Sequence, residues 1–342
     1  MQFPPSLFPV VCRAAGSGGW PARAVLAAAS LALAQLMALP AVAQTYPDKP
    51  VRMVVPFGSG GGTDALARLL AQKLGEGWGQ SIVVENKAGA QGNIGARFVS
   101  AAKPDGYTLL ASSSSVSLNP SIIASPGYEQ KDLEPVIFLG SSPYMLMVNP
   151  KVVAANTLPE FIAWTKTKGA AVTWASNPEG NADHLAGTLL QQRGGFTMQH
   201  IPYKGGAEAL NDVVAGHVAA GIFSLPTAMA YMQSGQLKAI ALLDSKRAPQ
   251  LPQVPTVLES GITGAELPTW YAIWVPAGTP ADVTAKIHAG FDRALKLDDV
   301  KKRMLTLGFA PGGGSQAEFA DYARKETEKF ARVVQSLGLK KQ

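Results

Sequence analysis

The sequence predicts an α/β protein with largely parallel sheets, folded as two domains. Short β-branched runs alternate with longer amphipathic segments from Asp48 onward, the pattern of strands joined by crossover helices. The 342 residues are enough for two domains of ordinary size. Apolar residues make up 47 % of the chain, enough to bury sizeable cores without disulfides.

Strands are expected at 51–55, 81–85, 107–111, 135–139 and 145–148, then at 172–175, 199–201, 219–223, 238–243 and 271–275. Helical periodicity falls between them at 64–74, 92–102, 158–168, 183–192, 207–215 and 227–234. Three more helices follow in a row, at 280–295, 298–307 and 315–337, and are expected to cover a sheet. The first has Pro280 in its opening turn after Thr279; the last has Ser315 as N-cap and Glu318 three residues on, a capping box. With no fixed-period repeat and no low-complexity linker, the domains are expected to be joined by crossing strands.

The first 43 residues carry no Asp or Glu and place Arg13 and Arg23 ahead of the apolar run "AVLAAASLALAQLMALPAVA", which ends in an A-x-A site. That order predicts a secretory signal peptide over 1–43, cleaved near Ala43, and hence export to the periplasm. Gln35 and Pro40 interrupt the run, so a membrane span is the weaker reading. Cys12, the only cysteine, lies in this segment, so the mature chain has no thiolate for a metal or a catalytic nucleophile. The net charge of +6 falls to +4 without the two arginines, and the basic residues are scattered, which argues against nucleic acid as a partner.

The stretch "VRMVVPFGSGGGTDALARLLAQKL" runs from a strand through a glycine-rich turn into a helix. Gly58, Gly60, Gly61 and Gly62 let backbone N–H groups converge, and the helix adds its positive dipole end, an arrangement suited to an anion. A Walker loop needs Lys followed by Ser or Thr, where this chain has Thr63 and Asp64. A dinucleotide fingerprint needs glycine where Thr63 stands. A tight turn without a ligand stays open as the bland reading. A second cluster, Gly89, Gly92 and Gly95 in "ENKAGAQGNIGARFVSAAKPDGYTLL", again follows a strand and opens a helix. Two such loops from adjacent parallel strands face one crevice, where a carboxylate can sit between them without arginine. Gly92 and Gly95 also suit close helix packing.

These blocks, with "HIPYKGGAEALNDVVAGHVAAGIF", "LKAIALLDSKRAPQLPQVPTVLESGI" and "TWYAIWVPAGTP", resemble in order the tripartite tricarboxylate transporter receptor family, the Bug or TctC-type periplasmic solute-binding proteins. The resemblance implies a type II periplasmic-binding fold with two lobes, a ligand cleft and a hinge. The lobes are expected at 44–144 plus 270–342 and at 145–269, with crossings near Ser142 and Thr269. It also implies a carboxylate ligand held by main-chain groups of the two glycine loops. The corresponding positions are Phe57, Gly58, Ser59, Gly60, Gly61, Thr63 and Asp64, and Gly89, Ala90, Gln91, Gly92 and Asn93. Asp64 is expected to cap the helix or anchor the loop. From "WASNPEGNADHLAG" come Ser176, Gly180, Asn181 and His184; from "YKGGAEAL" come Tyr203, Lys204 and Gly205; Ser112 and Ser113 follow a strand and offer hydroxyls.

Two departures from the family pattern matter. The usual S-x-G-x-G reads Ser176-Asn177-Pro178-Glu179-Gly180 here, and Pro178 removes a backbone donor. Many members carry Asp where this chain has Ser224, which cannot pair with an amine by charge, so an anionic or neutral organic acid is expected and not an amino acid. Enzyme readings find little support: His184, His200, His217 and His288 lack metal-ligand spacing, and the S-x-x-K match at Ser100 and Lys103 has no partner motifs. The expected protein is a monomeric, cofactor-free receptor for a small organic acid, serving the permease subunits of a tripartite transporter. The alternatives are a sensor feeding a receptor kinase and, from another class, an exported serine hydrolase.

Overall fold

The computed structural model describes residues 46–341. The expected signal peptide, its cleavage point at Ala43 and Cys12 lie outside the described residues.

The first part of the chain runs β1 (Val51–Val55), α1 (Gly62–Trp78), β2 (Ile82–Asn86), a 3-10 turn (Ala90–Gly92), α2 (Asn93–Ser100), β3 (Thr108–Ser113), α3 (Ser115–Ile122) and β4 (Leu133–Ser142). A second part follows after Pro143 with β5 (Tyr144–Val148), α4 (Leu158–Lys168), β6 (Thr173–Ser176), α5 (Ala182–Gly194), β7 (Gln199–Pro202), α6 (Gly206–Ala215), β8 (Ala220–Ser224), α7 (Leu225–Gln233) and β9 (Lys238–Leu242). The chain closes with β10 (Thr269–Pro276), α8 (Ala281–Lys296), α9 (Asp298–Thr306), β11 (Ala310–Pro311) and α10 (Gln316–Ser336).

Two sheets result, ordered β11-β4-β10-β3-β1-β2 and β7-β6-β8-β5-β9. In the first, β1 is parallel to β2 and β3; in the second, β6 is parallel to β7 and β8. The expectation of largely parallel sheets needs correcting, because β10 lies antiparallel between β3 and β4, and β5 antiparallel between β8 and β9. The reason is the route of the chain. β4 leads straight through Pro143 into β5, so β5 enters its sheet from the end where the parallel strands finish, and β10 does the same on the return. The two crossings run side by side: Thr269 pairs with Ser142, and Leu243 N donates to Tyr144 O at 2.8 Å.

All eight residues of β10, "TWYAIWVP", are buried, as a central strand covered on both faces requires. Its period of two splits it between cores. Trp270, Ala272 and Trp274 pack with Phe319 and Ala323, while Tyr271, Ile273 and Val275 pack with Leu66, Leu70, Ile287 and Phe291. The capping box read at Ser315 is present, with Glu318 N donating to Ser315 Oγ at 3.2 Å. The helix it starts, α10, exceeds its expected role. Phe319 and Ala323 join the core around Trp270, and Phe330 and Val334 join the core around Trp174, Leu185 and Leu190 of the other sheet. α3 was hidden in the sequence by its serines and by Pro120, an unusual residue inside a helix.

Candidate ligand-binding site

The C-terminal ends of β1, β3, β6 and β8 turn toward one cavity of about 810 Å³ between the two sheets. This size suits a small molecule. Six helices begin on its wall: α1 through Gly61 and Gly62, α2 through Gly92, α3 through Ser115, α5 through Asn181 and Ala182, α6 through Gly205 and Gly206, and α7 through Ser224 and Pro226. In none of the six does the N-cap side chain accept from a backbone N–H of the helix. By contrast α4 and α10, away from the cavity, are capped by Thr157 and Ser315, and α8 and α9 start at the exposed Pro280 and Leu297. Apart from three tyrosines, the wall holds two ionisable side chains, Asp183 and the exposed Lys204.

The first glycine loop is held from behind by Asp64. Its carboxylate accepts from Gly60 N, Arg68 Nε and Asn86 Nδ2, each at 2.9 Å, and Asn86 also donates to Phe57 O at 3.0 Å. Burial alone pushes the Asp64 pKa up; the bond from Arg68, with those from Gly60 and Asn86, outweighs it and holds the group below its ordinary value. Asp64 is 3 % exposed and off the wall, so it orders the loop and leaves Phe57, Gly58, Ser59, Gly60, Gly61 and Thr63 facing the cavity.

From the second loop Gly89, Ala90, Gln91 and Gly92 reach the wall. Ala90 and Gln91 hold positive φ angles of 46° and 56°, uncommon for residues with a side chain. Asn93 points inward, where its Oδ1 accepts from Asn119 Nδ2 at 2.6 Å, and the same amide donates to Gln91 O. Gly92 needs its hydrogen both for φ of 93° and for the Phe57 ring, 3.3 Å from where a Cβ would sit. Gly95 serves packing: a Cβ there would lie 2.8 Å from Pro56 Cα.

Ser113 lies on the wall, whereas Ser112 is buried behind it, 3.4 Å from Ser115 Oγ. In the second sheet, Asn181, Lys204, Gly205 and Ser224 reach the cavity; Ser176, Gly180, His184 and Tyr203 do not. Ser176 Oγ is sealed at 0 % exposure, donating to Asn177 O at 2.9 Å and lying 2.8 Å from His200 Nε2. Gly180 N donates to His184 Nδ1 at 3.2 Å, and Tyr203 donates to Asp212 Oδ2 at 2.6 Å. His184 and His200 have ring centroids 4.5 Å apart beside Trp174, and burial pushes both pKa values down to about 4.

Several wall residues have no signature in the sequence. Tyr144, Thr269 and Tyr271 come from the crossing segments, and Asn177, Asp183, Ser115, Thr227 and Tyr231 from loop ends and first turns. Tyr271 was legible only as the first residue of the strand expected at 271–275; the alternation within β10 brings its hydroxyl toward Ser224 and Thr269. Among the described residues no three His, Cys, Asp or Glu side chains cluster as metal ligands, and no helix is long and apolar enough to cross a membrane.

Residues 66–339 match the profile of the tripartite tricarboxylate transporter family receptor. Protein BugT of Bordetella pertussis (strain Tohama I) is 36 % identical over 307 residues, 89 % of this chain and 94 % of BugT. The solved structure of the periplasmic binding protein BugD is 34 % identical, with a TM-score of 0.79 over 87 % of this chain and 100 % of BugD. An R. palustris protein solved with adipate is 30 % identical, with a TM-score of 0.82 over 87 % of this chain and 100 % of its own.

Proposed function

Because the chain belongs to the tripartite tricarboxylate transporter receptor family, we propose that it is a periplasmic receptor that captures a small organic carboxylate between its two sheets and delivers it to a membrane permease. Members of the family are periplasmic binding proteins that take small carboxylates and work with tripartite transporter permeases.

The observation that carries the reading is the convergence of six helix N-termini, none of them capped by its N-cap side chain. Each such end favours an anion by about 0.3–1 kcal/mol, and a carboxylate needs those donors more than it needs a cation. The glycine loops at Gly60 to Thr63 and Gly89 to Gly92 let the backbone approach closely, and Lys204 adds the one basic side chain on the wall. Ligand-driven closure moves lobe 44–144 plus 270–342 against lobe 145–269 about the paired crossings at Ser142 and Thr269, in proportion to the ligand's preference for the closed form.

Binding without turnover fits the chemistry of the wall. The Ser176 and His200 pair, which has nucleophile-and-base geometry, is sealed away from the cavity, and Ser100 Oγ donates to Arg97 O within its own helix. A thermal-shift screen of organic acids on the purified protein tests the proposal. An acid at a hundred times its dissociation constant stabilises by about 2.7 kcal/mol. No shift with any mono-, di- or tricarboxylic acid overturns carboxylate capture.

A further inference from the structure

Both sheets use one device beside the cavity: a strand, a loop, and a helix whose first turn carries an aspartate bonded back to the loop's main chain. In the first sheet this is Asp64 on Gly60 N, with the Arg68 guanidinium 2.9 Å away as counter-charge. In the second it is Asp183, whose Oδ2 accepts from Asn177 N at 2.9 Å and from Asn177 Nδ2 at 2.8 Å, and whose Oδ1 accepts from His184 N at 3.0 Å. The difference between them is charge and position. Among the described residues no Lys, Arg or His forms an ion pair with Asp183, and Asp183 stands on the cavity wall at 3 % exposure where Asp64 does not.

We propose that Asp183 is a specificity-determining residue: the captured acid carries a hydrogen-bond donor, a hydroxyl or an ammonium, that binds the Asp183 carboxylate. This rests on the reading of the cavity as a carboxylate receptor. An ionised carboxylate has about four acceptor positions; other residues fill three of Asp183's, two on Oδ2 and one on Oδ1, and its own N–H lies beside the carboxylate, so Oδ1 is the less occupied oxygen. The loop around it offers the ligand few donors. Asn177 N goes to Asp183, Gly180 N to His184 and Asn181 N to Pro178 O, and Pro178 has no N–H. The loop from Asn177 to Asn181 therefore presents an acceptor where the glycine loops of the first sheet present donors.

The groups facing Asp183 are the Tyr144 hydroxyl from β5, Asn177 from its loop and His184 from its own helix, which burial keeps neutral at pH 7. Burial pushes the Asp183 pKa up to about 6, so the group stays mainly ionised at neutral pH. A bare carbon chain leaves that charge dry and unpaired, and a second carboxylate repels it; a hydroxyl or ammonium satisfies it.

The test is calorimetry with short-chain mono- and dicarboxylic acids, each in unsubstituted, hydroxy and amino form; succinate, malate and aspartate are one such set. The tightest binder is expected to carry the donor and to exceed its unsubstituted parent at least about tenfold, as a site built for a polar partner discriminates. Hydroxy against amino tells which donor is read. In Asp183→Asn the preference is expected to fall below about threefold, with Asp183→Ser as the second variant should the first not fold. An unsubstituted acid as tightest binder, or a preference that survives either variant, overturns the assignment while leaving carboxylate capture standing. Binding by no member of the panel overturns both.

Discussion

Gln91 Nε2 donates to Glu179 O at 3.0 Å, joining the segment after β2 in the first sheet to the loop after β6 in the second. Gln91 makes this bond from a left-handed backbone conformation, and Asn119 Nδ2 holds its carbonyl from behind at 3.0 Å. Replacing Gln91 with Ala removes a bond that forms only while the two sheets are close. One hydrogen bond of about 0.5–1.5 kcal/mol corresponds to affinity weaker by about 2- to 12-fold, seen as faster ligand release in stopped-flow. Unchanged release kinetics would show that the bond does not stabilise the closed form.

Asp64 is expected to set affinity from behind the first glycine loop. Asp64→Ala leaves Gly60 N without its acceptor and Asn86 Nδ2 with Phe57 O alone, and is expected to cost about 1–3 kcal/mol of stability, read by urea denaturation, with a parallel loss of affinity. Because the folded pKa is held below the ordinary 3.8, this contribution is complete above that value and is lost only as pH falls through the lower folded pKa. Stability at pH 7 unaltered by the substitution would contradict the anchoring role.

The histidine pair predicts loss of stability in mild acid. Both groups have folded pKa values near 4 against 6.5, so the unfolded chain takes up protons first and stability drops as pH falls from 6.5 toward 4. Asp183, raised to about 6 from 3.8, works the other way over an overlapping window, but it is one group against two. Melting temperature should fall between pH 6.5 and 4, and His200→Phe should flatten that slope. Phe keeps a ring beside Trp174, and Ser176 Oγ keeps its bond to Asn177 O. An equally steep slope in the variant would place the titration elsewhere.

Gly95→Ala forces a methyl against Pro56, where both Cβ at 2.7 Å and backbone Cα at 2.8 Å stand in the way. Overpacking of this kind costs about 1–3 kcal/mol. It should also shift α2 and the Gly89 to Gly92 loop, lowering melting temperature and affinity together. A variant that melts normally and binds normally would mean the helix moves freely past β1.

Features written in local chemistry were legible from the sequence: the strand, glycine turn and helix at 51–78, the Ser315 capping box, and glycine at 92 and 95. What stayed hidden depends on the path of the chain through space. The direction of β5 and β10 follows from crossing between sheets, which no propensity encodes. Lys204 and Tyr203 are neighbours in one motif, yet one faces the cavity and the other bonds Asp212; the choice belongs to the packing of α6. Asp183 carries no signal in the sequence, because the absence of a nearby cation is a property of the fold.

α10 buries Phe319 in one core and Phe330 in the other, the latter at 0 % exposure. Stripping a side chain such as Phe330 from its core costs about 1.5–3 kcal/mol, comparable to the binding energy that a weak ligand can spare. The amplitude of opening is therefore capped by the length of a helix. The two halves can shear or rock by as much as Phe330 and Val334 can slide without being exposed.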